Sequence, residues 1–285
     1  MTLFLLFMAG ALGAIFGSFL NVVIYRLPRG EGVAAGRSKC PSCRRVIPWH
    51  DNIPIVSWLL LRARCRACGG PISLRYPIVE ALTAALFVLT ALRVEALGWE
   101  PALLAFFVCS AFASVVLAAS FIDLDHKILP DKLTLRAGPA VAFVGAVGVP
   151  AIHGLSFWGI DLAPSMKTGL ASLLVGVAGA LVGGGVILCI RQLGSWMMRK
   201  EAMGLGDVKF MAMCGLLLGP GPVLLAIWGA ILLAALIGAG IWIVTKNREI
   251  PFGPFLGLGA LAVLYFGPAI EQFLLVDLPA RLRGG

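Results

Sequence analysis

Long apolar stretches separated by short polar segments make up most of this chain. Eight of them predict membrane-spanning helices, since about 20 apolar residues cross the hydrocarbon layer of a bilayer. They cover residues 3–25, 77–94, 101–121, 137–152, 168–190, 206–219, 222–245 and 252–275, of which the fourth and sixth are short. The first has no basic region before it and no small-residue cleavage motif after it, which predicts a permanent helix rather than a removed signal peptide.

The composition excludes an ordinary soluble enzyme. Of 285 residues, 60% are hydrophobic and only 13% are charged, about half the charged fraction of a typical globular domain. The 35 glycines suit helices that pack closely in lipid. The sequence therefore predicts an all-α polytopic membrane protein with about eight transmembrane helices, embedded in the lipid bilayer.

The net charge of +9 is explained by topology. If all eight stretches cross the membrane, 19 of the 23 Lys and Arg residues lie on one side. The positive-inside rule assigns that side to the cytoplasm and both termini to the other face. Because the basic residues report orientation in this way, nucleic acid is not a predicted partner.

Four of the seven cysteines form two pairs in the first cytoplasmic loop, residues 26–76. The pairs are Cys40-Pro-Ser-Cys43 and Cys65-Arg-Ala-Cys68, with 21 residues between them. This spacing can bring four thiolates together around a tetrahedral Zn²⁺. The alternative is two disulfides, which a reducing cytoplasm disfavours. A four-cysteine zinc site has no open position, so its predicted role is to fold the loop.

Two acidic clusters are the candidate chemistry. Asp123 and Asp125 end the third span, shortly before Pro130, and Asp207 begins the sixth within Gly204-Leu-Gly206-Asp207. Carboxylates within or beside a span are expensive, which makes them functional candidates. Two that meet would share one proton, so that one acts as base and the other as acid. The structural alternatives are helix capping for Asp207 and a solvated helix end for the other two.

Two other classes of function fit some of these features. A proton channel or transporter would use Asp123, Asp207 and Glu80 as a carboxylate relay, but the sequence has no acidic ladder reaching the opposite face. A docking module would use the cysteine loop for binding and the membrane part as an inert anchor.

Taken together, the motifs resemble those of the bacterial type IV prepilin peptidases, membrane aspartic proteases of the Gly-x-Gly-Asp type. The resemblance extends over nearly the whole chain. It is carried by the segment from Gly17 to Pro28, the two cysteine pairs, the Arg75-Tyr76-Pro77-Ile-Val-Glu80 block and the two aspartate motifs.

The resemblance implies a bifunctional enzyme of the bacterial inner membrane, with an active site facing the cytoplasm. Such enzymes cleave the leader of type IV prepilins or pseudopilins and then methylate the new amino terminus with S-adenosylmethionine. It also implies that Asp123 and Asp207 are catalytic, with Asp125 as the runner-up for the first position.

The apolar runs and the resemblance together predict three parts: a first transmembrane helix (1–25), a cytoplasmic cysteine loop that binds zinc (26–76) and a membrane aspartic protease domain of about seven helices (77–285). The resemblance gives no residues for the methyl donor. Glu80 could neutralise a sulfonium or an ammonium group, or could pair with Arg75.

Overall fold

A computed structural model of the protein describes residues 2–33, 36–149, 169–199, 203–245 and 251–283. Ten α-helices account for most of these residues, and the described part contains no strand beyond two isolated β-bridges in the cysteine loop. The helices are α1 (Leu3–Arg26), α2 (Val56–Leu60), α3 (Arg75–Leu97), α4 (Ala102–His126), α5 (Gly138–Gly148), α6 (Gly169–Met198), α7 (Leu205–Leu218), α8 (Pro220–Thr245), α9 (Gly253–Gln272) and α10 (Leu278–Arg283). The predicted all-helical class is confirmed.

Six helices in the described ranges are long and apolar enough to cross a membrane. They cover Leu3–Arg29, Arg75–Leu97, Ala102–His126, Gly169–Met197, Pro220–Gly240 and Gly253–Gln272. The predicted multi-pass protein is therefore confirmed, whereas the predicted count of eight spans is not.

The other two predicted spans correspond to α5, whose 11 residues directly follow the six-residue π-helix Lys132–Ala137, and to α7, with 14 residues. At 1.5 Å per residue α7 reaches about 21 Å, short of a hydrocarbon core of about 30 Å. Residues 150–152 and 168, which the sequence places at the ends of the fourth and fifth spans, lie outside the described residues.

The chain forms two compact units, residues 1–97 and 98–285. In the first, α1 and α3 pack antiparallel through small residues on α1. A Cβ atom at Gly13 would lie 2.8 Å from Ala84 Cα, and one at Gly17 would lie 2.6 Å from Glu80 Cα. The two glycines are four residues apart and share one helix face. Their missing side chains let the two backbones touch, which is how helices associate in lipid.

In the second unit, α7 runs antiparallel to α6 and is enclosed by protein. Its residues Phe210, Met211, Cys214 and Leu217 are all fully buried. Gly179 of α6 lies so close to Gly215 and Gly219 that a Cβ atom there would be 2.8 Å from Gly219 Cα. Because α7 is surrounded by other helices, its apolar length does not have to match the bilayer.

This packing predicts opposite effects for two glycines of the same helix. Gly179→Ala places a methyl group against the backbone of α7 and should cost about 1–3 kcal/mol of stability. A Cβ atom at Gly185 meets nothing within 4 Å. Gly185→Ala should therefore leave the thermal unfolding temperature in detergent unchanged or slightly raised. Equal behaviour of the two variants would contradict the close α6–α7 contact.

Candidate active site

Asp123 is buried in the last turn of α4. The helix ends at His126 because Lys127 adopts a left-handed conformation and donates its N–H to the Asp123 carbonyl oxygen over 2.8 Å. A segment without regular secondary structure, Ile128–Pro130, follows, as Pro130 predicts. Asp123 is only 6% exposed. Asp125, two residues later, is exposed, so the solvated helix end describes Asp125 and not Asp123.

The Asp123 carboxylate caps the amino terminus of α9. The Gly253 N–H donates to Asp123 Oδ2 over 3.0 Å in a buried hydrogen bond. Gly253 is the first residue of α9, where amide groups lack a partner within the helix and favour negative charge. A Cβ atom at Gly253 would lie 2.6 Å from the same carboxylate oxygen. Only glycine lets this backbone approach Asp123 so closely.

The Gly-x-Gly-Asp motif begins α7 and directs Asp207 inward. Gly204 precedes the helix in an extended conformation, and its backbone forms a hydrogen bond with the Asp207 carboxylate. Asp207 therefore does cap the start of α7, as the structural alternative for this residue predicts. Gly206 lies against the segment after α4, since a Cβ atom there would be 2.9 Å from Leu129 Cβ. The motif therefore places the start of α7 beside the end of α4.

The two aspartates lie within electrostatic range of one another. Asp207 is 9% exposed and interacts unfavourably with the charge of Asp123. Among the described residues, no cationic side chain is paired with either carboxylate. An ion pair joins Lys209 Nζ to Asp131 Oδ1 over 2.7 Å, close in sequence to both motifs. Two buried carboxylates that repel one another and have no cationic partner make ionisation of both costly.

In the first unit, the four predicted cysteines converge. Their sulfur atoms all lie within 4.8 Å of one another, and Cys40 Sγ is 3.9 Å from Cys68 Sγ. A Zn²⁺ ion with four bonds of about 2.3 Å holds its sulfur ligands about 3.8 Å apart. All four are free thiols, so the disulfide alternative is not the arrangement in the structure. The residues present therefore fit a tetrahedral metal ion.

Each cysteine pair lies in its own turn, and the two turns have the same backbone hydrogen bonds. Cys40 N–H donates to the Arg45 carbonyl oxygen over 2.9 Å, and Arg44 N–H donates to Cys40 over 2.8 Å. In the second turn, Cys65 N–H donates to Gly70 and Gly69 N–H to Cys65, both over 2.8 Å. Arg44 and Gly69 occupy equivalent positions, and both have positive φ. The two turns thus share one hydrogen-bond pattern, and the second follows the first at an offset of 25 residues, from Cys40 to Cys65.

The pKa values of two of these thiols, Cys40 and Cys68, are shifted in opposite directions. Hydrogen bonds from the backbone of Cys43, only partly opposed by burial, lower the pKa of Cys40 to about 6. Although the Gly70 backbone donates to Cys68, burial and the three neighbouring thiols raise its pKa to about 11. Four close sulfurs cannot all be ionised without a cation among them. A bound metal ion would supply that charge.

An ion pair and a serine fix the segment between the two turns. Asp51 accepts hydrogen bonds from Arg66 at distances of 2.8 to 3.1 Å, and this pairing lowers the pKa of Asp51. Ser57 Oγ accepts from Ile53 N–H over 2.9 Å and donates to the His50 carbonyl oxygen over 3.0 Å. The segment is thus tied to the second cysteine turn.

Comparison with known proteins agrees with this geometry. Residues 11–94 match the bacterial peptidase A24 N-terminal domain, and residues 110–239, which include both aspartates, match the type IV leader peptidase family. The chain belongs to the type IV leader peptidase family. No solved structure matches it significantly.

Curated members of the family are similar over most of their length. A type 4 prepilin-like proteins leader peptide-processing enzyme of Escherichia coli O78:H11 is 37% identical, with 89% of this chain and 91% of that protein aligned. The prepilin leader peptidase/N-methyltransferase of Myxococcus xanthus is 34% identical over 96% of this chain and 93% of its own length. A protein of the same name from Aeromonas hydrophila is 35% identical over 92% and 90%.

Sequence reasoning missed Gly253. The segment Pro251-Phe-Gly-Pro-Phe255 contains no ionisable side chain, so it lacks the signal by which the aspartates were found. A glycine between two prolines at the start of an apolar helix indicates a close approach by another group, but does not identify that group.

The Gly253 contact predicts a sharp effect of one methyl group. Gly253→Ala should push the Asp123 carboxylate out of place and reduce leader cleavage by about 100-fold, because small displacements of catalytic groups have effects of this size. Gly229→Ala is the matched control, since a Cβ atom at Gly229 in α8 meets nothing within 4 Å. Full cleavage by a folded Gly253→Ala variant, measured on a synthetic leader-containing peptide, would contradict this role.

Proposed function

We propose that this protein cleaves the leader peptide of type IV prepilins or pseudopilins and methylates the new amino terminus. The observation that carries the proposal is the pair of buried aspartates, Asp123 and Asp207, which lie in the part of the chain matching the leader peptidase family. The relatives named as leader peptidase/N-methyltransferase support the combination of the two activities.

In the proposed mechanism, Asp123 and Asp207 share one proton and hold a water molecule between them. The ionised carboxylate takes a proton from this water, which attacks the scissile carbonyl carbon. The protonated carboxyl donates its proton to the carbonyl oxygen, and a proton returns to the leaving nitrogen as the C–N bond breaks. No covalent acyl-enzyme forms. The Gly253 and Gly204 amides keep the two carboxylates in place.

We place this chemistry at the cytoplasmic face of the inner membrane. The support is the distribution of charge, since 19 of the 23 basic residues share one side when eight stretches cross the membrane. Eight crossings require α5 and α7 to contribute despite their length. The enclosure of α7 by protein supports this, because irregular or short elements occur at membrane depth where other helices cover them.

The proposal assigns one structural Zn²⁺ to Cys40, Cys43, Cys65 and Cys68. The short sulfur separations and the two equivalent turns support this assignment. With four protein ligands the ion has no site for substrate, so it folds the loop and takes no part in hydrolysis.

The methyl donor in this proposal is S-adenosylmethionine, which supplies an electrophilic methyl group on a sulfonium. The N-methyltransferase names of the relatives support it.

The two-aspartate mechanism predicts that Asp123→Asn and Asp207→Asn each reduce leader cleavage by roughly 10²- to 10⁴-fold, because each removes one partner in proton transfer. Asp125→Asn, in the same helical turn but exposed, is the control and should cleave normally. The measurement is mass spectrometry of a synthetic prepilin incubated with purified enzyme. If Asp125→Asn abolished cleavage while Asp123→Asn retained it, the assignment would be wrong.

The zinc assignment predicts close to one Zn²⁺ per chain by elemental analysis of purified protein. Cys40→Ser should lose most of the metal and leave the loop sensitive to protease, because a three-thiolate site binds zinc more weakly. Cys189→Ser, at an exposed cysteine of α6, is the control and should keep the full zinc content. Metal-free native protein with an intact loop would refute the assignment.

A further inference from the structure

Glu80 is a buried carboxylate of the first unit that the peptidase chemistry does not use. It lies in the second turn of α3, inside a candidate membrane span, and is only 7% exposed. Among the described residues, no cationic side chain contacts this carboxylate, so the pairing with Arg75 considered from the sequence is not its environment. An ionisable residue in a span without a counter-ion is unusual, because burying a charge is costly unless something neutralises it.

An amide and a hydroxyl hold the carboxylate in one orientation. The Ile55 N–H donates to Glu80 Oε2 over 2.7 Å, and Ser18 of α1 forms a side-chain hydrogen bond to the same group. Both contacts come from neutral groups, so they orient the carboxylate but leave its charge uncompensated. The group is therefore preorganised to receive a cation.

The loop is strained at the point where it meets Glu80. Ile55 has φ 63° and ψ −51°, and Val56 N–H donates across it to the Pro54 carbonyl oxygen over 2.6 Å. This is a tight γ-turn with positive φ, a conformation rare for any residue and especially unfavourable for a β-branched one. Such strain persists where the surrounding structure imposes it, and it is concentrated at binding and catalytic sites.

Close packing of α1 on α3 fixes the position of Glu80 on the other side. Gly17 lies directly against the Glu80 backbone, one residue before Ser18. Asn21 is itself buried and donates from Nδ2 to the Tyr76 carbonyl oxygen over 3.1 Å, one turn before Glu80 on the same helix face. Two polar residues of α1 thus contact this part of α3: Ser18 at the Glu80 side chain and Asn21 at the backbone one turn before it.

We propose that Glu80 binds the amino-terminal ammonium group of the processed substrate for methyl transfer. This inference rests on the proposed N-methyltransferase function and assigns it a residue. A primary ammonium supplies what the site lacks, namely a positive charge and N–H donors of the size that a carboxylate accepts.

The proposed step balances as follows. The substrate ammonium loses one proton to the Glu80 carboxylate and becomes a neutral amine. The amine nitrogen attacks the methyl carbon of the sulfonium donor, the new N–C bond forms, and the S–C bond breaks with its electron pair passing to sulfur. The product is a methylammonium group and a neutral thioether, and Glu80 releases its proton to water. Glu80 therefore acts on the nucleophile, while the donor provides the electrophile.

Glu80→Gln separates this role from a structural one. Glutamine has the same shape, and its carbonyl oxygen can still accept from Ile55 N–H, but it has no negative charge to attract an ammonium group and cannot deprotonate it. Glu95→Gln, an exposed position on the same helix, is the matched control. Both variants should match the unmodified protein in zinc content, unfolding temperature and leader cleavage.

The first measurement is methylation of a synthetic peptide that already lacks its leader. Glu80→Gln should reduce it roughly 10- to 100-fold, the range expected when a hydrogen bond to a charged group is lost. The second, without methyl donor, is binding of this peptide and of an analogue lacking the α-amino group. The unmodified protein should bind the amine more tightly, and Glu80→Gln should not distinguish the two.

Methylation by Glu80→Gln within twofold of the unmodified protein, or equal discrimination of the two peptides by both proteins, would overturn the inference. The inference would also be overturned if Glu80→Gln lost zinc, unfolded at a lower temperature and cleaved the leader poorly as well as failing to methylate. That result would show a structural role. If the unmodified protein itself cleaves but never methylates, the proposed methyltransferase function fails, an outcome distinct from the failure of Glu80 alone.

Discussion

The constraint on which the second unit depends is the cost of burying two like charges in apolar surroundings. Each carboxylate placed within a membrane span costs on the order of 3 kcal/mol on insertion scales, and mutual repulsion adds to this. The protein offsets part of the cost with backbone amides, from Gly253 to Asp123 and from Gly204 to Asp207. A proton shared between the carboxylates would offset more, and the same proton is what acid–base hydrolysis requires. On this account, the shared proton both stabilises the buried pair of aspartates and takes part in hydrolysis.

Small residues make the arrangement possible. Gly206 brings α7 against the segment after α4, Gly253 brings α9 against Asp123, and Gly17 brings α1 against Glu80. In lipid, helices gain little by burying apolar side chains against each other, so close backbone contact and hydrogen bonding become the means of association. Main-chain groups can then hold the buried carboxylates, as the Gly253 amide holds Asp123 and the Ile55 amide holds Glu80.

Local patterns predicted those parts of the protein whose signal lies within a few residues. Long apolar runs predicted the helices, the two Cys-x-x-Cys pairs predicted the cluster, and Pro130 predicted the end of α4. Partners distant in sequence were not predictable. Gly253 lies 130 positions from Asp123, and Ile55, in the cysteine loop, lies 25 positions before Glu80. The number of spans does not follow from the apolar runs for a related reason: α7 is buried by protein, so its length carries no information about bilayer thickness.

The most direct test of a proton shared by Asp123 and Asp207 is to detect the protonated carboxyl group. Infrared absorption of the purified enzyme at neutral pH should show a protonated carboxyl group whose signal is lost in both Asp123→Asn and Asp207→Asn, since either change removes the shared site. The exposed Asp125→Asn should leave it unchanged. A spectrum in which neither substitution alters the protonated-carboxyl signal would contradict the account, because it would mean that neither aspartate holds a proton at neutral pH and that no proton is shared between them.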